Sequence, residues 1–180
     1  MKKYDAIFLD RDGTINHDPG YIASLDDFEF FDFTFEALKN LKKLTDRFCI
    51  ITNQSGVARG IIDPDNLSMI HDHILNQFFN NDLNLIGIYY CTDHPDSPTP
   101  NRKPGIGMYN KAAKDHNINL KKSLMIGDSF CDIEAAKLCQ MESMLVLTGN
   151  GSKTKKMTNI NPTYFAKNLL EASLILKDAQ

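Results

Sequence analysis

No apolar run in this 180-residue chain approaches the ~20 residues of a membrane-spanning helix. The first run, residues 6–9, is too short for the apolar region of a secretory leader. A dominant charge is missing too. The chain has 20 basic and 23 acidic side chains and a net charge of −3. A general nucleic-acid binder carries a basic excess, so none is expected here. An anionic substrate would have to meet a local cluster of positive charge, because the whole-molecule field does not supply one. Cysteine is sparse. Cys49, Cys91, Cys131 and Cys139 are scattered and form no C-x-x-C pair, which suits reduced thiols in the cytosol rather than a disulfide framework. Repeats, low-complexity tracts and linkers are also absent. One soluble domain over residues 1–180, working without a membrane or a nucleic-acid partner, is the expectation. A chain of this length buries roughly 70% of its unfolded surface and needs no staples.

What is present is an alternation. Short apolar, β-rich runs occur at 6–9, 48–52, 86–91, 124–126 and 144–147. Such runs suit strands buried on both faces of a parallel sheet. Helical spacing fills the gaps. Phe35, Leu38, Leu41 and Leu44 make one stripe. Asp63-Pro64 opens a second helix, with Leu67, Ile70, Ile74 and Phe78 behind it. Residues 108–116, 132–140 and 166–177 supply three more. The pattern predicts an α/β fold with a doubly wound, mostly parallel, Rossmann-like sheet. Ligands of such sheets bind beyond the carboxyl ends of the strands, so the chemistry should follow each apolar run.

Asp10-Arg11-Asp12-Gly13-Thr14 follows the first run. Two acids this close repel each other unless a cation or a proton is shared. Alone, they would also suit an acidic turn or a calcium loop. Thr52-Asn53-Gln54-Ser55-Gly56 follows the second run and offers a hydroxyl and backbone N–H groups to a phosphate. A proline-rich loop ending in Arg102-Lys103-Pro104 follows the third, and Gly127-Asp128-Ser129 with Asp132 follows the fourth. Asp132 equally suits a helix N-terminus. Taken together, Asp10, Asp12 and Asp128 make a hard oxygen set suited to Mg²⁺, while Thr52 and Lys103 bring donors for a phosphoryl group.

The ordered set D-x-D-G-T, T-N, a loop lysine and G-D-x-x-x-D closely resembles the haloacid dehalogenase superfamily of phosphohydrolases. FLDRDGTIN, the Gly20-Tyr21 loop, TNQSGVARG, YYC and RKP are similar to its heptose 1,7-bisphosphate phosphatase branch, with histidinol-phosphate phosphatases as cousins. The resemblance implies Asp10 as nucleophile and Asp12 as general acid and base, with Thr52 and Lys103 on the phosphoryl oxygens. It implies Mg²⁺ held by Asp10, the Asp12 backbone carbonyl and Asp128, with Asp132 one step removed. It also carries substrate contacts onto Asp18, Pro19, Gly20 and Tyr21, onto Asn53, Gln54 and Ser55, and onto Arg102 and Ser129. The intervals around Arg11–Thr34 and Thr52–Ile86 are too short for a cap domain. Relatives often hold a structural zinc before R-K-P. Here Asp93, Thr99 and Asn101 stand at three of its four ligand positions, so zinc is not expected. The implied activity is removal of the 7-phosphate of a heptose bisphosphate by a monomeric cytoplasmic enzyme of surface-glycan synthesis. Histidinol phosphate or another small phosphate ester is the alternative, and a phospho-signalling receiver domain is the alternative of another class. His71 and His73, two apart on a helix, face different sides, so no metal pair is expected there. The basic run Lys153, Lys155 and Lys156 is read as a solvated loop, and Cys131 and Cys139 as small packing groups.

Overall fold

Ile7, Phe8 and Leu9 form a central strand because their side chains can be buried on alternate faces. Ile7 and Leu9 enter one apolar layer and Phe8 the other. The computed structural model describes residues 2–178. Its strands are β1 (Ile7–Leu9), β2 (Phe48–Asn53), β3 (Leu85–Cys91), β4 (Leu124–Gly127), β5 (Glu142–Val146) and β6 (Tyr164–Ala166). All pair in parallel in the order β3-β2-β1-β4-β5-β6. This is the doubly wound order, which differs from the 2-1-3-4-5 order of receiver folds.

The helices are α1 (Thr34–Leu41), α2 (Pro64–Asn80), α3 (Gly107–His116), α4 (Phe130–Leu138), α5 (Gly151–Thr154) and α6 (Leu169–Asp178). Apolar residues of α1, α2 and α6 cover one face of the sheet, and those of α3 and α4 the other. Asp63 opens α2 as the residue order predicts: its Oδ1 accepts from the Asp65 N–H at 2.8 Å, and Pro64 takes the first helical position. Helix α1 stops at Leu41, before the predicted stripe ends. Leu44 reaches the core from a turn, its N–H donating to the Leu41 carbonyl at 2.8 Å.

One expectation is corrected. Residue 166 opens no helix. Ala166 ends β6 and pairs with Val146, while α6 begins at Leu169. A strand of three residues is too short to show a period of two, and its alanine suits a helix as well as a strand. Between β1 and α1, residues 10–33 fold back on themselves. Asn16 bridges both Asp12 and Phe30, and Thr34 Oγ1 donates to the Ile15 carbonyl at 2.7 Å. This return sets Asp18, Gly20 and Tyr21 beside the ends of the strands.

Candidate active site

Three neighbouring strands, β2-β1-β4, and the loop after β3 bring residues to one place. Asp10 leaves β1, Thr52 and Asn53 end β2, and Asp128 leaves β4. Lys103 comes from the loop after β3, yet it is held like a core residue. Its N–H donates to Asn53 Oδ1 at 3.0 Å, and Asn53 Nδ2 donates to its carbonyl at 3.1 Å. Lys103 Nζ then donates to Asp10 Oδ1 at 2.8 Å, Asp132 Oδ1 at 2.7 Å and the Ile51 carbonyl at 2.7 Å. All three ammonium protons are engaged.

Both readings of Asp132 hold at once. Its Oδ1 meets Lys103, while its Oδ2 accepts from the Ser129 N–H at 3.1 Å and the Ser129 hydroxyl at 2.6 Å, closing the first turn of α4. Asp128 Oδ2 accepts from the Asn150 N–H at 2.6 Å. Gly13 and Gly149 flank that carboxylate at positive φ, +77° and +52°, and a Cβ on either would strike it.

Asp10, Asp128 and Asp132 offer oxygens within 4.8 Å of one another, and one ammonium faces them. The set therefore carries a formal surplus of two negative charges. Burial pushes Asp10 up to about 7, with the Asp132 charge adding to it and Lys103 opposing. Burial and the charges of Asp10 and Asp132 push Asp128 up to about 8. Burial works against the charge of Lys103, but Asp10 and Asp132 outweigh it and hold the ammonium above the usual lysine range. A hard divalent cation fits this donor set: the ligands are carboxylate oxygens and the charge deficit is two.

The folded protein keeps protons on Asp10 and Asp128 that the unfolded chain has already lost above its ordinary carboxylate value of 3.8. The stability that these two acids contribute is therefore full below about 3.8 and is lost as pH rises from there through about 7 and about 8. In EDTA, the melting temperature should drop by roughly 5 °C or more between pH 6 and 8.5. A flat profile would show that the fold does not raise the proton affinity of these acids.

Asp12 is clamped apart from the acid cluster. Arg11 Nε donates to its Oδ1 and Arg11 Nη2 to its Oδ2, both at 2.9 Å. Asn16 Nδ2 adds a bond to Oδ1 at 3.0 Å and Gln54 Nε2 one to Oδ2 at 2.8 Å. Burial alone would raise Asp12, but the Arg11 charge and these donors overcome it and hold the carboxyl below the usual range. Gln54 Nε2 also donates to Thr52 Oγ1 at 2.9 Å, linking Asp12 to the end of β2.

Above these groups lies a cavity of about 210 Å³. Of the residues the sequence singled out, Asp10, Asp12, Thr52, Lys103 and Asp128 line it, as do Asn53, Gln54, Ser55 and Ser129. Asp18, Gly20 and Tyr21 reach it from the β1–α1 segment. Pro19 and Arg102 do not line it. Pro19 is exposed, and the Arg102 guanidinium donates to the Asp93 carbonyl at 3.3 Å. Cys131, expected to pack as an apolar group, is half-buried and lines the cavity. Asn150 and Ile62 were also missed. For Asn150 a signal existed: Thr148-Gly149-Asn150-Gly151 is another glycine-bearing turn beyond a strand. For Arg11 the neighbouring Asp12 stood in view, but its third partner, His71, is set by the folded chain.

Comparison with known proteins agrees with this geometry. A HAD-hydrolase-like family model matches residues 100–172. D-glycero-beta-D-manno-heptose-1,7-bisphosphate 7-phosphatase of Photorhabdus laumondii is 40% identical over 158 residues, 83% of this chain and 84% of the relative. The Helicobacter pylori protein of the same name is 39% identical, covering 86% of this chain and 90% of its own. Among solved structures, D,D-heptose 1,7-bisphosphate phosphatase from B. bronchiseptica, complexed with magnesium and phosphate, superposes with a TM-score of 0.89 at 30% identity. That match covers 98% of this chain and 99% of the other. The chain thus belongs to the heptose-bisphosphate phosphatase family of haloacid-dehalogenase-like hydrolases and is a phosphatase.

Proposed function

We propose that the protein is a Mg²⁺-dependent phosphomonoester hydrolase that removes the 7-phosphate of D-glycero-D-manno-heptose 1,7-bisphosphate through an aspartyl-phosphate on Asp10. The observation that carries this reading is the state of Asp10. Its Oδ1 accepts from Lys103 Nζ and from the Arg11 N–H, each at 2.8 Å, while Oδ2 accepts from none of the described residues. One oxygen is anchored, and the other keeps its lone pairs on a residue that lines the cavity.

In this reading, Asp10 Oδ2 attacks phosphorus and the bond from phosphorus to the sugar oxygen breaks. Asp12 gives that oxygen a proton and later takes one from the water that hydrolyses phospho-Asp10, releasing phosphate. The clamp on Asp12 suits the second half-reaction, in which it must be a carboxylate. Acting as an acid requires part of the clamp to loosen. Thr52 Oγ1 accepts from Gln54, so its own proton remains for a phosphoryl oxygen. Lys103 chiefly fixes Asp10, because its protons are already committed. Asp10, Asp128 and the Asp12 backbone carbonyl would hold Mg²⁺, which when bound offsets the repulsion between nucleophile and phosphate. Asp18, Gly20 and Tyr21, with Asn53, Gln54, Ser55 and Ser129, surround the sugar, and Pro19 shapes the turn between them. Arg102 would meet the remote phosphate by turning from Asp93. We take the working unit to be a cytoplasmic monomer of one domain.

The names of the relatives and the magnesium and phosphate of the B. bronchiseptica structure support this substrate and cofactor. The test is phosphate release from heptose 1,7-bisphosphate and histidinol phosphate, with Mg²⁺ or EDTA, and with ³¹P spectra to identify the phosphate lost. Expected are a kcat/KM at least about tenfold higher for the bisphosphate, loss of the 7-phosphate signal, and no turnover in EDTA. Preference for histidinol phosphate would remove the heptose reading.

A further inference from the structure

Arg11 is the bulkiest fully buried side chain among the described residues. Two of its nitrogens hold Asp12, and the third, Nη1, lies 3.4 Å from Nε2 of His71 on α2. His71 is 7% exposed, and its ring packs on Tyr90 of β3 with centroids 4.9 Å apart. Core packing does not account for this arrangement. A permanently charged guanidinium is costly to bury, and an apolar side chain of similar volume would fill the space without that cost. The guanidinium only donates, so Nε2 must be the accepting nitrogen and Nδ1 must carry the ring proton. Burial and the Arg11 charge push the imidazole down to about 4, which keeps it a neutral acceptor near pH 7.

We propose that His71 is a positioning residue for proton transfer: acting through Arg11, it fixes the orientation from which Asp12 serves the leaving oxygen. The fork of Arg11 is planar, so an acceptor on Nη1 sets the plane in which Nε and Nη2 present the carboxylate. Without that acceptor the fork can rotate and carry Asp12 with it. A small displacement of a proton donor costs rate without changing substrate binding. The inference rests on Asp12 being the general acid.

Leaving-group dependence tests it, because a sugar oxygen needs a proton as it departs and 4-nitrophenolate does not. The readout is kcat/KM, which reports steps up to loss of the leaving group. His71→Met, which keeps bulk but not the acceptor, should lose about tenfold on heptose bisphosphate and less than about twofold on 4-nitrophenyl phosphate. His71→Gln, which restores an acceptor, should recover most of the loss. Arg11→Lys, which keeps the charge but not the fork, should reproduce the selective defect if the methionine variant does not fold. Equal losses on both esters, or no loss on the sugar phosphate, would overturn the role of His71. Asp12→Asn separates the two claims. If it is selective and His71→Met is not, only the positioning role fails. If Asp12→Asn slows both esters equally, Asp12 is not the acid and the inference falls with that reading.

Discussion

Asp10→Asn protein should release phosphate at least about a thousandfold more slowly than the wild type, yet melt at a higher temperature in EDTA. The amide matches the carboxylate in shape but is no nucleophile for phosphorus. It can still accept from the Arg11 N–H and from Lys103, both of which now meet Oδ1 at 2.8 Å. What disappears is one of three carboxylates that share a single ammonium. Burial first and the Asp132 charge second push Asp10 up to about 7, so removing its charge relieves the fold most where that carboxylate is ionised, above pH 7. Phosphate release and melting temperature are both needed. Near-wild-type turnover would eliminate Asp10 as nucleophile. Lower stability in EDTA would mean that the carboxylate helps build the fold.

Lys103→Met should fail on both counts. Lys103 is 3% exposed and Asp132 is fully buried, so deleting the ammonium strands two carboxylates and the Ile51 carbonyl. Breaking one side of a buried pair costs about 3–5 kcal/mol. Protonation of the stranded acids meets part of that cost at low pH, so the urea midpoint should fall further at pH 8 than at pH 6. Turnover should fall by about a hundredfold or more, because Asp10 loses the anchor on Oδ1 and the phosphoryl group its nearby cation. Adding Asp132→Asn should return much of the stability and none of the rate. An unchanged midpoint in Lys103→Met would show that another group neutralises the cluster.

Most of the fold can be read from periodicity. The apolar run of β2 is unmistakable because both faces of an interior parallel strand are dry, whereas β3, at the sheet edge, is mostly half-buried and is legible only from its β-rich apolar residues. Asp63-Pro64 fixes the start of α2 through a bond two residues long. Periodicity fails at Tyr164–Ala166, where three residues are held by pairing with β5 rather than by any pattern of their own. It also fails at the end of α1, where Leu44 satisfies the apolar spacing from a turn.

In the site, local order was enough to name the strand ends that carry acids, the hydroxyl of Thr52 and the lysine of the third loop. Those assignments depend on residues adjacent along the chain and on one topological rule, that open parallel sheets bind at their carboxyl edge. Which atom meets which is another matter. Lys103 reaches Asp10 across 93 positions and Arg11 reaches His71 across 60, distances over which no spacing rule operates. Folding alone set the bond of Asp132 to Lys103, the bond of Asp12 to Gln54 and the turn of the Arg102 guanidinium to the Asp93 carbonyl. In a dry interior each polar atom must find a partner among whatever the packed chain brings within reach, and that supply belongs to the whole structure.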